Sequence, residues 1–302
     1  LAAVTSIAAL LAAGPTYSFE FFPPKSDAEL ATLSGTLRDL QPLRPSFVSV
    51  TYRGGRASRQ RTYDLVTGML HTTSLVPMAH LVCVAHTRLE LADILVSYRK
   101  AGVENLMALG GDPIEGADSG RGELVHAVEL VRLAREIGGF TIGVAAHPAG
   151  HPASPDIASD RDHLAEKLDL ADFAVTQFFF SADEYVSLVD DLRRRGVDKP
   201  VLPGIMPVTS LSSVARMTEM GSPVPAWAVA RLESAEAGGG RDAVRAEGIE
   251  MAVELCRALL GAGAPGLHFY TLNRSSATRE IYAALDLVPS LAEVSPGSPG
   301  PR

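Results

Sequence analysis

The sequence predicts an α/β fold, a single (β/α)8 TIM barrel with a short N-terminal helix and a frayed, Pro/Gly/Ser-rich C-terminal tail. Three observations predict it. Short β-type runs alternate with helical patterns along almost the whole chain, eight of each. The β runs are nearly continuously apolar, as strands of a parallel sheet covered on both faces must be. And the first strand leads into Phe22-Pro23-Pro24-Lys25, with none of the glycines that a doubly wound dinucleotide-binding sheet places in its first turn. A closed barrel accommodates eight strand–helix units in a chain of 302 residues.

The elements follow in order. Leu1–Gly14 is apolar with no preceding Lys or Arg, and is too short to span a bilayer, so it reads as a helix packed on the body. Strands are predicted at Tyr17–Phe22, Phe47–Tyr52, Met78–Val84, Asn105–Gly110, Thr141–His147, Phe173–Phe180, Val201–Val208 and Gly266–Leu272. The intervening helices are Asp27–Leu40, Arg59–Leu70, Arg88–Ala101, Gly122–Ile137, Asp160–Leu170, Ala182–Arg195, Leu211–Met220 and Ala277–Leu285. Ser181 and Ser210 stand where N-caps belong; Gly102, Gly138, Gly196 and Gly221 stand where helices should stop. Pro223–Gly240 reads as an insertion before a long amphipathic helix, Arg241–Leu260. The expected organisation is an N-terminal helical extension over 1–16, the barrel over 17–288 and a disordered tail over 289–302.

Composition narrows function. Lys+Arg 27 against Asp+Glu 35 leaves a net charge of −8, which argues against nucleic acid or an anionic membrane as partner. Cys83 and Cys256 lie in apolar runs and build neither a disulfide framework nor a zinc site, so the chain reads as cytoplasmic. Only four lysines occur, none inside a strand run, which excludes a Schiff-base barrel aldolase. No P-loop and no G-x-S-x-G element is present.

Barrel chemistry sits at the C-terminal ends of the strands, so polar residues there are the candidates. Glu20, between Phe19 and Phe21-Phe22, should have a raised pKa and can act as a general acid, or pair with an interior Arg. Thr51 and His80 end or occupy the second and third strands. Gly110-Gly111-Asp112 ends the fourth, offering close backbone approach and a carboxylate, or a plain turn. His147 and His151 end the fifth, but the prolines and glycine between and beside them argue against a metal pair. Gln177, an amide inside an apolar strand, needs partners from a ligand or from across the barrel. Arg274, just past the last strand, can hold an anionic group or a surface carboxylate.

These runs, in this order, resemble the methylenetetrahydrofolate reductase family. The matching elements are Ser18-Phe-Glu-Phe-Phe-Pro-Pro24, Phe47-Val-Ser-Val-Thr-Tyr52, His80-Leu81, Gly111-Asp-Pro113, Val144-Ala-Ala-His-Pro148 with His151-Pro152, and Thr176-Gln-Phe-Phe-Phe180. Pro203-Gly-Ile-Met-Pro-Val208, Pro225-Ala-Trp227 and His268-Phe-Tyr-Thr-Leu-Asn-Arg274 complete the set, which covers residues 16–287. The resemblance implies reduction of 5,10-methylenetetrahydrofolate to 5-methyltetrahydrofolate with NADH or NADPH, and FAD as cofactor. It makes Glu20 the acid that opens the folate ring to an iminium, Asp112 a carboxylate near flavin and pterin, and Gln177 the amide that holds folate or nicotinamide. Arg274, Met217 and Tyr270 fall on substrate-lining positions; Thr51, His80, Gly110, Gly111, Asp112, Ala127, His147, His151, Asp160 and Lys167 fall on flavin-contact positions.

Some positions depart from the family pattern. Gly110 replaces a usual Arg, a cation that Arg121 in the following loop could supply, and His147 stands where Tyr or Phe is common. Ser213 and Met217 replace Gln and Phe. Gly110 therefore leaves two routes open, flavin-mediated ping-pong or direct hydride transfer from nicotinamide to folate. The alternatives are a non-catalytic folate- or flavin-binding protein on the same scaffold, and a different folate- or deazaflavin-dependent barrel enzyme. Sequence leaves the oligomeric state unspecified.

Overall fold

In the computed structural model, residues 6–52, 56–111 and 122–287 are described. Eight strands close into a barrel in the order β1-β2-β3-β4-β5-β6-β7-β8, every pair parallel. In chain order the elements are α1 (Ile7–Ala13), β1 (Thr16–Phe21), α2 (Asp27–Leu40), β2 (Phe47–Val50), α3 (Arg56–Thr72), β3 (Pro77–Val82), α4 (Arg88–Lys100), β4 (Asn105–Leu109) and α5 (Ala127–Ile137). There follow β5 (Thr141–Ala146), α6 (Ile157–Leu170), β6 (Phe173–Phe178), α7 (Ala182–Arg194), β7 (Val201–Ile205), α8 (Ser212–Glu219), α9 (Ala226–Gly261), β8 (Gly266–Tyr270) and α10 (Ser276–Ala284).

The two-residue period of a strand sorts the apolar residues into two layers. Outward-facing Phe19, Phe21, Val48, Val50, Ala79 and Leu81 pack beneath the helices in one large core. Inward-facing Phe47, Met78, Met107, Phe173, Val175 and Leu202 fill the lower barrel together with Ile7 of α1. Helix α1 thus seals the N-terminal end. Ser6 caps it, the Ile7 N–H donates to Asn105 Oδ1 at 2.9 Å, and the Ser6 and Thr141 hydroxyls meet at 2.8 Å.

Most predicted elements are present, with informative shifts. The four glycines expected at helix ends all have positive φ. Ser181 is the N-cap of α7, whereas Ser210 lies one residue ahead of the cap of α8, Leu211. Helix α5 starts at Ala127 rather than Gly122, because Glu129 accepts the Val125 and His126 N–H groups at 2.8 Å and so fixes the first turn there. The stretch read as an insertion is helical: α9 begins at Ala226 and breaks only at Gly240 (φ 66, ψ −154). Alanine-rich sequence favours helix, and Ala228 and Leu232 bury themselves in a satellite cluster with Phe178, Met206 and Met217. The glycine run marks a kink rather than a loop. Asp112, Arg121 and the tail over 289–302 lie outside the described residues.

Candidate active site

The upper barrel interior is polar. Glu20 points inward from β1, so Phe19 and Phe21 face the opposite way and do not surround it. Its real neighbours come from other strands. Ser49 Oγ of β2 donates to Glu20 Oε2 at 3.4 Å, and the Nε2 atoms of His80 (β3) and His268 (β8) each lie 3.5 Å from that same oxygen. All four side chains are buried. Neither Nε2 has a hydrogen-bond partner among the described residues. His268 is oriented from behind: its Nδ1 meets Ser18 Oγ at 2.8 Å, and its ring stacks on Phe47 (6.1 Å, 17°).

This environment overturns the expected rise in the Glu20 pKa. Burial pushes it up, but the close approach of the His268 ring and the positive fields of His80 and His268 outweigh that, leaving it below the usual carboxylate value. Burial pushes His80 down, against the opposing pull of Glu20. A carboxyl and two imidazoles therefore meet around one oxygen.

Across the mouth, β6 carries a register irregularity between Val175 and Phe178. There the Gly204 N–H donates to Thr176 Oγ1 (2.9 Å), and the Tyr270 hydroxyl donates to the Thr176 carbonyl (2.7 Å). Tyr270 lies over Gly204 so closely that a Cβ at 204 would fall 2.5 Å from its ring and 2.3 Å from the Thr176 carbonyl. Such an irregularity re-aims side chains at a sheet end. Here it accompanies Gln177, whose Nε2 donates to the Met220 carbonyl (3.0 Å) and whose Oε1 accepts the Phe178 N–H. Both ends of the amide are thus held, one of them by the chain just past α8. Met217 of α8 is buried in the satellite cluster, and Arg274 is exposed just beyond β8.

The remaining candidates form an arc over β2 to α6. Thr51 is buried, and its carbonyl accepts from Thr62. Gly110 carbonyl oxygen accepts the Cys83 and Val84 N–H groups at 3.1 Å. Gly111 has φ +85, and a Cβ there would lie 2.5 Å from Val84, so the position demands glycine. Ala127 opens α5. His147 and His151 contact edge to face (4.6 Å); the His151 N–H donates to Asp160 Oδ1 (3.1 Å). Lys167 Nζ donates to the Ala145 carbonyl (2.7 Å), and burial brings its pKa down to about 8. Among the described residues no cluster of three or more His, Cys, Asp or Glu side chains is arranged to hold a metal.

Sequence reading missed Ser18, Ser49, His268 and Arg161. Ser18 shares the inward phase of Glu20 two residues along the same strand, a spacing readable in the sequence; Ser49 and His268 share it on neighbouring strands, a signal visible only once register is known. Arg161 is almost fully buried, bonds the His147 and Pro148 carbonyls at 2.9 and 2.6 Å, and pairs with Asp160. In sequence it looks like any helix arginine.

Comparison with known proteins agrees with this geometry. The family model for methylenetetrahydrofolate reductase matches residues 5–286. The 5,10-methylenetetrahydrofolate reductase of Salmonella typhimurium is 34% identical over 276 residues, covering 91% of this chain and 92% of that protein. Methylenetetrahydrofolate reductase (NADH) 1 of Arabidopsis thaliana is 33% identical over 288 residues, covering 90% of this chain and 48% of that longer protein. A Clostridium thermocellum protein that binds two copies of 5-methyl-5,6,7,8-tetrahydrofolic acid shares the fold, with TM-score 0.64 and 12% identity over 91% of this chain and 95% of that one. Eight parallel strands, a polar cluster at the mouth and a match over almost the full length lead to one conclusion: the chain belongs to the methylenetetrahydrofolate reductase family of oxidoreductases.

Proposed function

We propose that this protein reduces 5,10-methylenetetrahydrofolate to 5-methyltetrahydrofolate with NADH, and that Glu20 is its general acid. The observation that carries the reading is the Glu20 carboxyl between two buried imidazoles whose Nε2 atoms have no other partner. The chemistry needs a proton on a ring nitrogen, rupture of that nitrogen's bond to the methylene carbon, and hydride addition to the resulting iminium. Held below the usual carboxylate value, Glu20 is ionised in the free protein and takes up a proton together with the substrate before passing it to the ring nitrogen. It is then an anion beside the cation it has created, so one group serves both steps. His80 and His268 keep that proton within reach after each turnover. Tyr270, paired with Glu20 across the β1–β8 seam, and Gln177 of β6 orient the pterin, with Met217 as apolar wall; Arg274 holds the substrate's anionic end. Asp112 is assigned from the family resemblance alone.

The arc from Thr51 to Lys167 fits a flavin in its donor set: a hydroxyl, imidazoles, a glycine backbone and a half-buried ammonium. Thr51, His80, Gly111, Ala127, His151, Asp160 and Lys167 would hold it. A flavin bound there would relay two electrons between nicotinamide and folate. Gly110 supports a second route, because it supplies no cation at the fourth strand end; nicotinamide and folate would then bind together and exchange hydride directly.

Folate-dependent NADH oxidation tests the reading, with Glu20→Gln as the decisive variant. Loss of the proton donor lowers kcat by about 10²–10⁴-fold while NADH binding is retained. A Glu20→Gln enzyme with wild-type turnover removes Glu20 from the role. Flavin absorbance in the purified protein and parallel initial-rate lines mark the ping-pong route; intersecting lines without that absorbance mark direct transfer.

A further inference from the structure

The β1–β8 ladder ends at the pair Glu20↔Tyr270, yet the two chains stay joined beyond it through side chains. Thr271 Oγ1 donates to the Glu20 carbonyl at 2.6 Å. Asn273 then pairs with the Phe22 backbone at two points: Oδ1 accepts the Phe22 N–H at 2.8 Å, and Nδ2 donates to the Phe22 carbonyl at 2.9 Å. From α2, Thr36 Oγ1 donates to the Asn273 carbonyl at 2.8 Å. The Asn273 amide imitates a strand residue, and the seam is extended past the end of β8.

The backbone that makes this possible is strained. Leu272 (φ 50) and Asn273 (φ 58) are both left-handed, the one adjacent pair of such non-glycine residues in the described chain. Asn tolerates that region and Leu does not. Leu272 gains little in return, since its side chain is 41% exposed. Backbone strain persists only where surrounding bonds over-determine it. Here those bonds end on Glu20 and Phe22, the residue bearing the acid and its near neighbour. Arg274 leaves the same turn, its N–H donating to the Thr271 carbonyl at 2.9 Å.

We infer that Asn273, together with Thr271, is a positioning residue. The pair clamps the end of β1 so that the Glu20 carboxyl stays between His80 and His268, and it fixes Arg274 at a set distance from that carboxyl. The inference rests on Glu20 being the proton donor. A seam that merely stabilises the barrel predicts lower stability and unchanged chemistry, so the two roles separate by experiment.

Asn273→Gly tests it, since glycine adopts the left-handed backbone without strain and removes only the amide. The expected result is a folded protein with wild-type NADH affinity and kcat lowered about 10- to 100-fold, the range that ångström-scale misplacement of a reacting group produces. The pH limb of kcat that reports Glu20 moves upward, because the carboxyl loses the imidazoles that hold it down while staying buried. Thr271→Val, which removes the hydroxyl at constant shape, moves both readouts the same way, and Thr271→Ser restores them. Asn273→Gly or Thr271→Val proteins with lowered melting temperature but wild-type kcat and pH profile overturn the clamp. If Glu20→Gln is inactive while both clamp variants are normal, the clamp alone fails; if Glu20→Gln is fully active, the acid assignment falls and the clamp with it.

Discussion

At the N-terminal end of the barrel Ile7 is fully buried against Phe47, Met78, Met107 and Phe173, and the Ser6, Asn105 and Thr141 side chains around it are hydrogen-bonded, with the Thr16 hydroxyl the one partnerless group among the described residues there. At the C-terminal end Glu20, His80 and His268 are buried with two ring nitrogens lacking partners, and the next turn holds two left-handed non-glycine residues. The lower end leaves that single hydroxyl without a partner; the upper end gathers a buried carboxyl, two partnerless ring nitrogens and two strained residues close to one another. Close packing gains stability from apolar area and dispersion, and has no use for an orphaned imidazole or a strained leucine. Such violations are affordable only where stability has been secured elsewhere, and they mark where ligand chemistry happens.

The comparison is broken most severely at the plug. Ile7→Ala removes a buried side chain from a closed end with little freedom to collapse, so unfolding free energy falls by about 2–5 kcal/mol. Denaturant titration measures it. Because Ile7 lies at the opposite end from Glu20, kcat/KM of the folded fraction stays at the wild-type level. A variant that loses activity without losing stability would show that the two ends are coupled.

This division explains what could be read in advance. The barrel was legible because it depends on repetition: continuous apolar runs and helical patterns recur eight times, four of the helices with a glycine stop, so a misjudged boundary such as Gly122 or Pro223 leaves the topology intact. Glu20 was legible as a buried carboxyl in a strand, but its neighbours were misassigned. Adjacent Phe19 and Phe21 lie on the other face, whereas His80 and His268 are 60 and 248 positions away and arrive through the register of β3 and β8. The pKa direction departs from the sequence expectation for a definite reason: the residues adjacent to Glu20 in sequence are not its neighbours in space. The bonds of Thr271 and Asn273 to the first strand were invisible for the same reason, though both residues stood in a recognised motif.

Acid sharpens the contrast next. His147 sits at the mouth with its pKa lowered to about 4, by burial first and then by the charges of His151 and Lys167. In the unfolded chain it titrates near 6.5. Between those values the unfolded state binds more protons, so stability rises with pH and falls as pH drops from about 6.5 to 4. The contribution is at most about 3 kcal/mol, reduced by whatever solvent reaches the ring. His147→Phe keeps the aromatic volume and removes this term. Melting curves across that range should show a shallower pH slope for His147→Phe, with a residual slope from His80 and His86, which burial also lowers. Equal slopes would mean that the ring is hydrated enough to charge within the fold. The difference between wild type and Ile7→Ala, by contrast, should not vary with pH, since the plug buries no ionisable group.

The smallest expected change in stability comes from Gly110, and it decides between the two hydride routes. Among the described residues a Cβ at this position meets the Val125 carbonyl at 3.8 Å and the Ala127 nitrogen at 3.9 Å, both ordinary contacts, and φ is not positive, so the backbone at 110 admits a side chain. The new guanidinium lies near the start of α5, where the helix dipole disfavours a cation, so unfolding free energy falls by less than about 1 kcal/mol. A bound phosphate-bearing cofactor reverses that sign. One charge-assisted hydrogen bond is worth roughly 1.5–3 kcal/mol, about 10- to 150-fold in affinity. Gly110→Arg should then bind FAD more tightly than wild type and gain more in melting temperature when FAD is added. Equal FAD affinity in the two proteins would show that the missing cation at the fourth strand end does not govern flavin binding, and would remove the observation that opens the direct-transfer route.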